Sequence, residues 1–142
     1  PDTFFGVDVI VGFPGETDDD FSDAYRFIEQ VRPSSLHIFP YSERPNTPAA
    51  EFDGKVNPSV VRQRVSLLTD LSDKLHNDFY LKHIGQTRPV LVESSRKGDY
   101  MFGFADNYIK VGIPFNQNLA GKVVAVKLEK YNPTGFVEGS LY

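Results

Sequence analysis

The segment that most constrains the fold is Asp8-Val9-Ile10-Val11-Gly12-Phe13-Pro14-Gly15-Glu16-Thr17, an apolar run that turns on Gly and Pro into an acidic stretch. Residues 4–13 are almost continuously apolar, which predicts a strand covered on both faces, as in a parallel sheet flanked by helices. Val7, Val9, Val11 and Phe13 fall on one face, and Asp8, Ile10 and Gly12 on the other. An acid on such a strand needs a partner or a polar cavity. Thr17 reads as a helix N-cap with Asp20 three residues on, while Glu16, Asp18 and Asp19 suit the positive end of the helix dipole. Phe21, Ala24, Tyr25, Ile28 and Val31 then recur at helical spacing, and Pro33 closes the helix.

A second strand is expected over residues 35–42, with Leu36 and Ile38 on one side and His37, Phe39 and Tyr41 on the other. Strand, helix and strand in this order make a parallel βαβ unit with a right-handed crossover. A loop rich in Pro and Asn (residues 44–48) leads to a long helix. Asn57 caps it, Pro58 takes its first position, and Val61, Val65, Leu68, Leu71, Leu75 and Phe79 form its apolar stripe. Two strands cannot enclose a barrel, so this half is expected to leave an apolar face uncovered.

After Gly85 the period changes to two. Short strands are expected over residues 89–94, 100–105, 108–112, 122–129 and 135–140, separated by turn signals such as Lys97-Gly98-Asp99 and Asp106-Asn107. Five such strands suggest a small closed antiparallel barrel, which removes its own edges. Charge shifts at the same place. Residues 1–83 carry 8 Lys/Arg against 14 Asp/Glu, a net of −6, and residues 84–142 carry 7 against 5, a net of +2. The expected organisation is therefore α/β over 1–83 followed by all-β over 84–142, with different partners for each.

The chain has no Cys and three scattered His (His37, His76, His83), so no metal site is expected within it. No apolar run approaches the roughly 20 residues of a membrane span. No membrane partner is expected, and without a signal-peptide pattern the default location is cytoplasmic. Pro1 at the start implies a piece of a longer polypeptide.

Gly12-Phe13-Pro14-Gly15 stands at the C-terminal end of its strand, where open α/β sheets bind ligands. It is neither a phosphate-binding Walker loop nor a dinucleotide fingerprint. Two readings remain: a backbone that a ligand approaches closely, or a tight turn that needs Gly and Pro for geometry alone. The second strand's exit, residues 39–49, ends on the same side. There Arg44 is suited to clamp a carboxylate, and Phe39 or Tyr41 to flank an aromatic base. The plainer alternative pairs Arg44 with Glu43 or Glu51 and packs the aromatics.

Taken together, Asp8–Thr17, Phe39-Pro40-Tyr41-Ser42, Arg44-Pro45-Asn46-Thr47-Pro48-Ala49 and the terminal β-module resemble the tRNA methylthiotransferases. These are radical S-adenosylmethionine enzymes that add a methylthio group to adenosine beside the anticodon. The form His37-Ile38-Phe39-Pro40-Tyr41-Ser42-Glu43-Arg44 is most similar to the branch acting on N6-threonylcarbamoyladenosine, with the isopentenyladenosine branch as the alternative. Asn46 departs from the Gly of many relatives, a change that a left-handed turn tolerates.

The resemblance implies that residues 1–83 are the last two βα units of a radical SAM partial TIM barrel. S-adenosylmethionine would then lie near Ile10, Gly12, Pro14, Gly15, Phe39, Tyr41 and Arg44. It implies two 4Fe-4S clusters in the parent enzyme, whose cysteine ligands are absent from this chain. The chain alone is expected to be inactive, with its missing N-terminal portion as a partner. Residues 84–142 are implied to be a TRAM domain, an RNA-binding barrel for the tRNA anticodon stem-loop. The pieces that match it include residues 106–111 and 119–122. Its expected contacts are Arg88, Arg96, Lys97, Lys110, Lys122, Lys127 and Lys130 to phosphates, with Tyr108 stacking on an unpaired base. Tyr100, Phe102 and Phe104 are expected in the core. Two other readings are a methylthiotransferase for a ribosomal-protein aspartate and a non-enzymatic RNA-binding module.

Overall fold

A computed structural model describes residues 2–142. Two compact units stand out, one spanning Phe5–His76 and one combining Asn77–Tyr142 with the described residues up to Phe4.

In the first unit, β1 (Gly6–Val11) and β2 (Ser35–Pro40) pair in parallel, with Val7 opposite Leu36, Val9 opposite Ile38 and Ile10 opposite Phe39. The connecting helix α1 (Asp18–Val31) begins in a full capping box. The Thr17 hydroxyl accepts from the Asp20 amide at 3.1 Å, and the Asp20 carboxylate accepts from the Thr17 amide at 2.9 Å. Helix α2 (Pro58–Lys82) starts at Asn57, whose side chain accepts from the Ser59 amide at 2.9 Å. Val11, Ile28, Leu36, Leu68, Leu71 and Leu75 form the buried core, with Val7, Val9, Ile38 and Val61 packed against it.

The helices cover one face of the two strands only. On the other face, Ile10 is 59% and Phe39 51% exposed. This corrects the expectation of a strand covered on both sides: two strands and two helices make only one layer against the sheet. Asp8 stands opposite His37 in the register, and both are exposed. The acid therefore keeps its hydration and needs no buried partner.

The second unit is a closed barrel of β3 (Thr87–Lys97), β4 (Tyr100–Ala105), β5 (Lys110–Pro114), β6 (Val123–Asn132) and β7 (Phe136–Leu141), in the order β3-β4-β5-β7-β6. Its core holds Val90, Val92, Met101, Ile109, Val111, Ile113, Val126, Leu128 and Val137. The pairing is not wholly antiparallel, because β5 and β7 run parallel. Five strands cannot alternate in direction around a closed ring, so one neighbouring pair must agree. By its contacts this unit takes in the chain from Asn77 onward. The last turns of α2 carry Tyr80 into the barrel core with Phe79 packed against it, and the Tyr80 hydroxyl accepts from the Lys110 amide at 3.0 Å.

Register also corrects the placement of the β4 aromatics. Met101 and Ala105 point into the barrel, so Tyr100, Phe102 and Phe104 lie on its outer side, where Phe102 is buried as expected, Tyr100 is half-buried and Phe104 is exposed. There Phe102 and Phe136 meet edge-on at 5.1 Å and Tyr100 lies 5.5 Å from Phe136. A Cβ on Gly112 would collide with the Phe136 ring. Gly112 is thus the floor on which this outer aromatic cluster rests. Among the described residues no helix is long and apolar enough to cross a membrane.

A Cβ at Gly103 would run into the Leu91 carbonyl, a backbone group that cannot rotate away. Gly103→Ala is expected to cost about 2–3 kcal/mol in urea unfolding. The backbone and side-chain bonds from Thr17 hold the Asp20 carboxyl below its ordinary pKa. Its contribution to stability is full above the unfolded value and lost as pH falls through the lowered folded value. In Thr17→Ala, an NMR titration should find the Asp20 pKa returned upward.

Candidate functional site

The two strand exits are tied together by the Tyr41 amide, which donates to the Val11 carbonyl at 2.7 Å. Gly12 is at φ 84° and Gly15 at φ 90°, conformations that favour glycine. Neither amide is open to a ligand. The Gly12 N–H donates to Glu16 Oε1 at 3.1 Å, and the Gly15 N–H to the Gly54 carbonyl at 2.8 Å. The Val61 side chain fills the space a Cβ at Gly12 would need. Pro14 is buried, and Phe13 packs edge-on against Tyr41 at 5.3 Å and Phe52 at 6.1 Å. The structure thus keeps Gly12 and Pro14 buried and Tyr41 half-buried within the turn, while Gly15, Ile10, Phe39 and Arg44 are exposed.

Arg44 is exposed and makes no ion pair among the described residues, because Glu43 is taken by Lys55 at 2.7 Å. The alternative in which Arg44 pairs with Glu43 or Glu51 is not formed. Asn46 sits at φ 63°, so the left-handed turn persists without glycine.

The turn is held from behind by a residue that the sequence reading passed over. The Arg64 side chain is 6% exposed and donates to the Glu16 carboxylate at 2.5 Å, the Glu16 carbonyl at 3.3 Å and Asp18 at 2.7 Å. Asp18 and then Glu16 raise its pKa against the opposing effect of burial. Glu16 and Asp18 thus do more than complement the dipole of α1. A signal was present: Arg64 lies three residues after Val61 and four before Leu68, on the buried stripe of α2.

The barrel separates the basic residues expected to meet RNA. Lys97, at the end of β3, and Lys122, just before β6, lie at one end and are exposed. Arg96 is near them, but its Nε donates to the Gly98 carbonyl at 2.9 Å and its guanidinium lies 4.3 Å from the Phe115 ring centre. Arg88, Tyr108 and Lys110 lie at the other end, where β3 and β5 begin. Arg88 is turned inward onto Asp106 at 2.7 Å and Gln86 at 2.9 Å. Lys110 rests its ammonium 5.0 Å from the Phe102 ring centre. Lys127 and Lys130 are exposed on β6. Asn107, expected in a turn and within the matching piece 106–111, is buried beside Tyr108.

No family model matches the chain. Curated relatives do. The chain is 40% identical over 138 residues to the threonylcarbamoyladenosine tRNA methylthiotransferase MtaB of Bacillus subtilis, an alignment that covers 92% of the chain and 31% of the relative. It is 32% identical over 143 residues to the tRNA-2-methylthio-N(6)-dimethylallyladenosine synthase of Symbiobacterium thermophilum, covering 99% of the chain and 30% of the relative. The chain belongs to the tRNA methylthiotransferase family. Aquifex aeolicus MtaB is 37% identical over 112 residues, 78% of the chain and 26% of the relative. The chain thus spans about a third or less of the length of these methylthiotransferases. Relatives of both named activities match, so the similarity identifies the family and not the substrate.

Within this member of the family, the Arg64 pairing gives a sharp test. Arg64→Ala strands the Glu16 carboxylate and is expected to cost about 3 kcal/mol in urea unfolding. Asp18→Asn touches the side of the same guanidinium that faces water, its own side chain being almost fully exposed. It should cost less than about 1 kcal/mol. Equal losses would mean that the buried half of the pair contributes nothing special.

Proposed function

We propose that this chain is the C-terminal portion of a tRNA methylthiotransferase, contributing one wall of the cofactor site and the RNA-docking module. The observation that supports this most is the one-sided parallel pair β1–β2. Its helices lie on one face, its other face presents Ile10 beside Phe39, and its two exits are locked together by the Tyr41–Val11 hydrogen bond. This supports reading the pair as two adjacent βα units of a larger radical SAM barrel, with helices outside and the apolar face toward the lumen.

The residues present fit one edge of S-adenosylmethionine. Ile10 and Phe39 offer an apolar surface for an adenine ring, and Arg44 is a free cation for a carboxylate. Gly12, Pro14, Gly15 and Tyr41 shape that edge without donating to it. S-adenosylmethionine, when bound, supplies the radical chemistry of the family. The residues here only hold and orient it. The two 4Fe-4S clusters require ligands that a chain without Cys does not have, so this portion alone is inactive.

The barrel is read as a TRAM domain that docks the tRNA anticodon stem-loop in the cytoplasm, and the product as the 2-methylthio form of a modified adenosine at position 37. N6-threonylcarbamoyladenosine is the favoured substrate, with support from the His37–Arg44 form. Isopentenyladenosine is the second reading, in keeping with the synthase relatives.

Two measurements test this. The full-length protein, reconstituted with its clusters, should yield methylthiolated tRNA by mass spectrometry of nucleosides. Cofactor cleavage that never modifies tRNA, or modification of a ribosomal protein instead, would contradict it. The chain itself should bind an anticodon stem-loop with affinity that falls steeply with salt. Lys97→Glu and Lys122→Glu should each lower the salt slope by about 1. An unchanged slope in both would remove that end of the barrel from the RNA surface.

A further inference from the structure

The turn between β4 and β5 carries a residue in a backbone region foreign to its type. Tyr108 is at φ 63°, a left-handed conformation that glycine or asparagine adopts far more readily than an aromatic residue. Dense packing would explain a Tyr there, but its side chain is 69% exposed and its ring lies 6.5 Å from Phe4 at a tilt. Strain that packing does not compensate points to a role in contact with something else.

Beside it, Asn107 is 4% exposed, and neither its amide nitrogen nor its amide oxygen has a hydrogen-bond partner. Unpaired buried amides are rare because they forfeit hydration for nothing. Both residues line a cleft of about 310 Å³ that also includes Asp2, Arg88 and Asp106.

Charge decides what chemistry the cleft suits. The Arg88 guanidinium is bound to Asp106 at 2.7 Å and faces Asp2 at 3.8 Å. Two carboxylates thus surround one permanent cation, and a phosphate would be repelled. A flat, uncharged group with hydrogen-bonding edges is not. The exposed Tyr ring is a stacking surface for a base, and the Asn amide sets one donor group beside one acceptor, the complement of an adenine edge.

We propose that the Asp106–Tyr108 turn is a seat for one unpaired nucleobase of an RNA loop, stacked on Tyr108 with its polar edge taken by the Asn107 amide. The proposal rests on the RNA-binding reading of the barrel given above, and it separates a base contact at this end from phosphate contacts at the Lys97–Lys122 end. The Asn107 amide is closed from solvent, so its pairing with a base requires the turn to open as the base seats on Tyr108.

The test measures binding of the whole 142-residue chain to an RNA hairpin with an adenine loop, and to the same hairpin with an abasic loop, across a salt series. Wild type should prefer the intact loop by about 10-fold. Tyr108→Gly should abolish that preference while leaving the abasic affinity and the salt slope unchanged. Its melting temperature should match or exceed wild type, since glycine relaxes the left-handed backbone, so lost binding would not reflect lost folding. Replacing the loop adenine by purine, which lacks the exocyclic amine, should weaken wild type about 5-fold and Asn107→Leu not at all. Equal loss on intact and abasic hairpins, or a changed salt slope in Tyr108→Gly, would overturn the base seat and leave RNA binding by the barrel standing. If the wild-type chain shows no salt-dependent binding to either hairpin, the RNA-binding reading fails and the seat with it.

Discussion

The first unit depends on one buried guanidinium. Arg64 on α2 holds the Glu16 carboxylate, and that carboxylate holds the Gly12 amide at the end of β1. One carboxylate thereby couples a helix, a turn and a strand end. A buried charge is tolerated only when its hydrogen-bonding capacity is used, and here Glu16, Asp18 and the Glu16 carbonyl use it. With the turn held from behind, Ile10 and Phe39 can face outward on a fixed backbone. A ligand on that exposed face, as proposed, would meet a backbone preorganised by residues that do not reach it.

The barrel solves a different problem. Its five strands close with one parallel pair, and each face then follows from the two-residue period. Met101 and Ala105 go inside, while Tyr100, Phe102 and Phe104 go outside. The outer rings would be a liability if scattered. Tyr100 and Phe102 are gathered instead with Phe136 beside Gly112, with Lys110 laid on Phe102, while Phe104 stays exposed. The basic residues divide between the two ends, with Lys97 and Lys122 at one and Arg88, Lys110 and Lys127 (opposite Thr87) at the other. A surface divided in this way suits a ligand with both charged and uncharged parts.

Much of the fold was legible in the chain. The 3.6-residue stripe of α2, the capping residues Thr17 and Asn57, and the turn signals at Gly98 and Asn107 mark elements that local chemistry enforces. The strand exits were legible too, because Gly12, Pro14 and Gly15 punctuate so strongly. What the pattern could not tell was which glycine requirement was at work. The Gly12 amide is occupied by Glu16 and its missing Cβ by Val61, a residue 49 positions away. Arg64 was overlooked for the same reason, since its partners Glu16 and Asp18 are distant in sequence. That Tyr100 and Phe104 fall outside the barrel core was not legible, because alternation says which residues share a face but not which face is inside.

By itself, the amino-acid sequence determined the order of elements, the change of period after Gly85 and the kinship with tRNA methylthiotransferases. These rest on short-range steric and hydrogen-bonding preferences, which neighbouring residues decide. Only the tertiary structure decided that β1 is covered on one face, that β5 and β7 run parallel, that Arg88 turns inward, and that Asn107 is buried unpaired beside a strained Tyr108. Each of these depends on groups far apart in the chain meeting in space, and on the closure of a ring. No local pattern carries that information.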